Sequence, residues 1–142
     1  MSTKGADSQK NKFIPADSLC VTCIASPGII GFSTEPSQTN QQINTIIFSN
    51  DINKEFLYCA LRRYFTQQGV VKTGNTFANM NKDDFSQIPI VYPDLKTLEI
   101  FHRITMPLSA QMKTLSLQNK HLISLRNWLL PLLMSGQATI AD

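Results

Sequence analysis

The sequence predicts an α+β fold: a small mixed or antiparallel β domain with one packed helix, followed by a long C-terminal helix of coiled-coil type. Three observations carry this. Residues 13–92 show short apolar runs punctuated by Gly, Pro, Ser and Asn, the pattern of strands and turns. Within that region, residues 52–68 switch to a helical period, with Phe56, Ala60, Leu61 and Phe65 on one stripe. From Asp94 onward only helical spacing is found. The natural division is therefore 1–93 and 94–142, with residues 1–12 expected to be poorly ordered.

The totals bound the class. A chain of 142 residues can bury a core of its own without staples. Hydrophobic content of 42% and charged content of 16% fit a folded, soluble protein. The opening "MSTKGADSQKNKF" has no apolar run of the kind a secretory leader needs. No segment approaches the roughly 18 uninterrupted apolar residues of a membrane span, so a cytoplasmic location is expected. Thirteen Lys and Arg against ten Asp and Glu give a net charge of +3, which suits an anionic partner without requiring one.

Taken in order, "SLCVTCIA" (Ser18 to Ala25) reads as a strand that meets a turn at "SPG". "INTIIFSN" (Ile43 to Asn50) is a second strand candidate and "SQIPIVYP" (Ser86 to Pro93) a third. Pro89 removes a ladder donor, which would put that third strand at an edge or a bulge. The helix between them is expected from Ile52 to Gln68, with Asp51 as N-cap and Gly69 just past its end. Arg62 and Arg63 fall largely off its apolar stripe. Leu95, Leu98, Phe101 and Ile104 begin the C-terminal helical region, which Pro107 is expected to end or kink. A further helix from Leu108 to Leu130 would run for roughly 35 Å, with Pro131 kinking or ending it and Gly136 closing the segment.

The C-x-x-C spacing of Cys20 and Cys23 carries no chemistry on this reading. Residues three apart on a strand face opposite ways and stand roughly 10 Å apart, too far for a disulfide or a shared ion. Three cysteines are an odd number and suit a reducing compartment. All three are expected to fill core volume.

The long helix carries the sharpest pattern. Leu108, Met112, Leu115, Asn119, Leu122, Leu125, Leu129 and Leu132 follow steps of 4, 3, 4, 3, 3, 4 and 3. This is a narrow seam for a partner helix, with Asn119 at a position that sets register or partner choice. The alternative is a helix folded back over the sheet with Asn119 merely exposed. The narrow ridge and the length favour pairing.

"VTCIASPGIIGFSTEPSQTNQQINTIIF", "EFLYCALRRYF", "GNTFANMNKDDFSQIPIVYPDL" and "LISLRNWLLPLLMSGQATI", in this order, resemble the DNA-specificity (S) subunits of type I restriction–modification enzymes. The resemblance runs from about Ile14 to Ile140. It implies part of one α/β target recognition domain that reads half of a split site on double-stranded DNA. It also implies a spacer helix that packs antiparallel on its counterpart, around which methyltransferase (modification) subunits dock and to which a restriction subunit is recruited. The subunit itself performs no chemistry and needs no cofactor or metal. The chain begins close to the "GIIG" hairpin and has one spacer helix where the family has two, so a truncated copy or a half-subunit that forms a homodimer is expected.

Base edges and phosphates are read mainly by Arg, Lys and amide or hydroxyl side chains. In "VVKTGNTFANMNK" the candidates are Lys72, Thr73, Asn75, Asn79, Asn81 and Lys82, on a stretch that could equally be a polar surface loop. Arg62 and Arg63 are the second group, as phosphate clamps. The rival reading keeps only the helix: a specificity-subunit fragment that dimerises or meets other proteins without binding DNA. No paired carboxylates, nucleophile–base set or phosphate-binding Gly loop supports an enzyme.

Overall fold

The computed structural model describes residues 13–24, 26–67 and 80–137. The chain divides into two compact units, Met1–Met106 and Pro107–Asp142.

The sheet of the first unit has three antiparallel strands, β2 (Leu19–Thr22) in the centre between β3 (Ile30–Phe32) and β5 (Ile43–Ile46). A smaller antiparallel pair joins β1 (Phe13–Ile14) to β4 (Ser37–Gln38). Strand β2 alternates: Leu19, Val21 and Cys23 are buried while Cys20 and Thr22 are half-buried. That parity sends the two cysteines of the C-x-x-C pair to opposite faces, and all three thiols are free. The expectation that all three fill the core needs correction. Cys23 does, Cys20 does so in part, and Cys59 lies exposed on a helix. Among the described residues no cluster of three or more His, Cys, Asp or Glu could hold a metal ion.

The hairpin from β2 to β3 turns at Gly28, whose φ of +88° favours glycine. Its amide donates to the Thr22 carbonyl at 2.9 Å, and the Thr22 amide to Ile29 O at 3.0 Å. A Cβ at Gly28 would also stand 2.9 Å from Cγ of Phe65. Gly28→Ala therefore combines backbone strain with a clash, and is expected to cost about 1–3 kcal/mol, read as a lower urea midpoint at unchanged slope.

Helix α1 (Lys54–Gln67) lays Leu61 and Phe65 on the sheet. The sequence places its cap one residue late. Asn50 is the cap, its side chain accepting from the Ile52 amide at 3.1 Å, and Asp51–Asn53 form a 3₁₀ turn ahead of the α-helix. Asp51 instead pairs with Lys54 at 2.7 Å. A short helix, α2 (Lys82–Ser86), begins at Asn81, whose side chain accepts from the Asp84 amide at 2.8 Å. It takes up the start of the expected third strand. Residues 88–94 form no strand ladder; Pro89 and Pro93 have no N–H to give one.

Helix α3 (Leu95–Met134) is one element of 40 residues with Pro107 and Pro131 inside it. Of the two outcomes expected at each proline, an end to the helix at Pro107 or Pro131 is ruled out, and one helix replaces the expected two. The φ of proline is itself helical, so the helix can continue, although each proline removes the bond to the residue four earlier and its ring crowds that residue's carbonyl. Those carbonyls belong to Arg103 and Asn127, both on exposed residues where solvent can satisfy them. The helix ends as read, at Gly136 with φ +69°. There Gln137 N donates to Leu132 O at 2.9 Å and Gly136 N to Leu133 O at 3.2 Å, a Schellman closure.

At the other end Asp94 caps α3, accepting from Thr97 N at 3.0 Å and Thr97 Oγ1 at 2.6 Å. These bonds from Thr97 hold its carboxyl below the usual carboxylate range. The folded chain thus binds that proton less readily than the unfolded chain. The cap's stabilisation is whole above the ordinary pKa of about 3.9 and is lost as the pH falls through the lowered folded value. Helical circular dichroism should fall on this acid limb, and Asp94→Asn, which still accepts but does not titrate, should flatten the part due to the cap.

Candidate nucleic-acid interface and helix ridge

Four of the eight candidate DNA-contact residues, Lys72, Thr73, Asn75 and Asn79, lie outside the described residues. The other four fall on α1 and at the start of α2. Arg62 and Arg63 are exposed while Leu61 and Phe65 on the same helix are buried. The fold thus holds α1 by one stripe and turns the two guanidinium groups outward. Arg62 Nη1 donates to Tyr58 Oη at 3.4 Å, which steadies it lightly across one turn. Arg63 stands beside a groove of about 670 Å³ lined by Phe56, Cys59, Tyr64, Val91 and Phe101 among others. Partial burial pushes the Cys59 thiol up from its usual pKa, with Arg62 opposing that shift and Glu55 adding to it, so the thiol stays protonated at neutral pH.

Asn81 and Lys82 are separated in role by the fold. The Oδ1 of Asn81 is committed to capping α2, which leaves its NH₂ group as the part able to meet a base or phosphate. Lys82 is exposed and lines a second pocket, of about 400 Å³, with Asn44, Thr45 and Ser86. Its lining is mostly apolar, with Ile46, Leu61, Phe85, Ile88 and Ile90 beside these polar residues.

One contact has no signal in the sequence. Glu55 is 8% exposed, and its Oε2 lies 3.0 Å from His102 Nδ1. Phe56 meets Tyr92 and Phe101 edge-on at 5.2 and 6.4 Å between ring centres, and the Tyr92 hydroxyl bonds Asn53. Together these tie α1 to the first turns of α3. Nothing in the local period of either helix marks Glu55 or His102, since they stand 47 residues apart.

Along α3 the seam residues Leu108, Met112, Leu115, Leu122 and Leu125 are 49–64% exposed. Asn119 is exposed as well, and Leu129 and Leu132 are half-buried. Toward the end of the helix apolar residues also appear off the ridge: Ile123, Trp128, Leu130 and Met134 are all exposed. Among the described residues no helix is long and apolar enough to cross a membrane, so this apolar surface is not read as a span.

Comparison with known proteins adds two findings. The family described as "Type I restriction modification DNA specificity domain" matches residues 1–127. The chain is 36% identical over 140 residues to the type I restriction enzyme HindI specificity subunit of Haemophilus influenzae, covering 96% of this chain and 30% of that protein. The chain therefore spans under a third of the length of that relative. No solved structure matches the chain.

Proposed function

Because the chain belongs to the type I restriction–modification DNA-specificity family, we propose that it is a non-catalytic DNA-recognition module. In this reading residues 1–93 meet one half of a split duplex site and residues 94–142 assemble the complex. The helix pairs with a second copy through the ridge from Leu108 to Leu132. Modification subunits, and with them the restriction subunit, are directed to the site by that assembly in the cytoplasm.

The observation that carries this is the exposed leucine ridge on a helix of 40 residues. Five apolar residues at seam spacing, each about half exposed, are what a chain keeps for a partner helix. Exposed Arg62, Arg63 and Lys82 supply the cationic groups that a duplex backbone requires. Lys72, Thr73, Asn75 and Asn79, which lie outside the described residues, and the Asn81 amide are the further candidates for contact.

A second reading rests on the same exposed ridge: a module that pairs and meets other subunits without holding DNA. A gel-shift titration with mixed-sequence duplex at low salt separates the two. The recognition reading expects a shifted band that weakens steeply as salt rises. A chain that elutes as a dimer and shifts no duplex even at the lowest salt contradicts it and leaves the assembly reading.

A further inference from the structure

The net charge of the chain resides in the stretch from Pro107 to Gln137. Between Pro107 and Gln137 there is no Asp or Glu, and the cations are Lys113, Lys120 and Arg126. Setting those three aside leaves ten cations against ten acids in the rest of the sequence, so the whole of the +3 sits on this stretch. A helix needing only solubility on its outer face would mix both signs, because i,i+4 pairs of opposite charge stabilise it.

At 100° per residue, Lys113 and Lys120 lie about 140° and 120° around the helix from Leu108, on one line and about 10 Å apart. Their flank, turned away from the leucine ridge, also carries Ser109, Ser116, Ser124 and Asn127. Short hydroxyl and amide groups between ammonium groups are the composition of a phosphate-contacting surface. A face for dry packing against protein would instead carry a row of large apolar residues. Between Ser109 and Ser124 the centre of this flank has none.

We propose that the Lys113–Lys120 flank of α3 lies against the phosphates of duplex DNA, adding a contact that is independent of sequence while the ridge pairs with a second helix. This rests on the DNA-recognition reading. Each lysine also interacts within the chain, and its four-carbon stem lets the ammonium exchange that contact for a phosphate. The two lysines add affinity and leave base choice to the first unit.

The test is the salt dependence of binding to a mixed-sequence duplex, for the full chain and for Lys113→Gln with Lys120→Gln, with dimer state checked by sedimentation. Each neutralised phosphate contributes about 0.9 to the slope of log K against log salt, so the variant should lose about 1.8 per bound chain. A variant that sediments as the wild type does but keeps the wild-type slope overturns the proposal and leaves DNA recognition standing. The same unchanged slope with loss of modification-subunit capture also overturns it, and gives the flank to an acidic protein surface. A wild-type chain that binds no duplex at low salt overturns both this proposal and the reading beneath it.

Discussion

Leu115→Asp combined with Leu122→Asp is expected to turn a paired protein into monomers at tens of micromolar. Both leucines are at least half exposed in the single chain, so neither supports the fold of its own copy. In a two-helix pair the exposed half of each becomes buried, at about 0.8–1.8 kcal/mol for each leucine. A two-fold pair holds four of them, giving about 3–7 kcal/mol and a weakening of at least ~10²-fold. The aspartates add the cost of removing carboxylates from water. Sedimentation velocity reads the change, and circular dichroism should show the first unit intact. A double variant that still sediments as a dimer would mean that pairing, if present, uses another surface.

Phe65→Ala is expected to bring the first unit close to unfolding. Phe65 is 1% exposed and anchors α1 on the sheet with Leu61, Leu19, Val21 and Cys23. Its ring sits against Gly28 and meets Tyr64 edge-on at 5.4 Å between centres. Truncation of such a ring costs about 3–5 kcal/mol, out of a total stability of about 5–15 kcal/mol for a domain. The glycine and the ring share one space, so Gly28→Ala and Phe65→Ala should not add: the cavity left by the smaller side chain relieves the clash. Urea melts of the two single variants and the double give the coupling directly. A loss below about 1 kcal/mol for Phe65→Ala would contradict the packing described.

The α+β class, the strand at Leu19, the packed helix at Phe65 and the closure at Gly136 were all legible, because each rests on a strong local signal. The misses have local causes too. Asn50 and Asp51 are both good capping residues, and only the backbone decides between them; the extended conformation at Asn50 settled it. In "IPIVYP" the alternation is real, since Ile88 and Ile90 are half-buried between exposed Pro89 and Val91. An extended chain shows that period whether or not a ladder partner exists. The short helix α2 had a readable sign, Asn81 followed by two acids in the first turn, but five residues are too few for periodicity to speak. The prolines of α3 were read as ending or kinking the helix, and the helix runs on through both. In the site, outward Arg62 and Arg63 followed from the stripe, whereas the Glu55–His102 contact needs tertiary proximity that no single-sequence pattern encodes.

Selection of duplexes from a random-sequence pool by the purified chain tests the account at its centre. If the first unit reads bases and the ridge joins two copies antiparallel, the recovered pool should converge on a short motif present twice. The two copies should be related by two-fold symmetry and held at a fixed separation. Recovery of duplexes with no shared motif, from a chain that binds DNA and is dimeric, would contradict it: the protein would then grip phosphates without reading sequence.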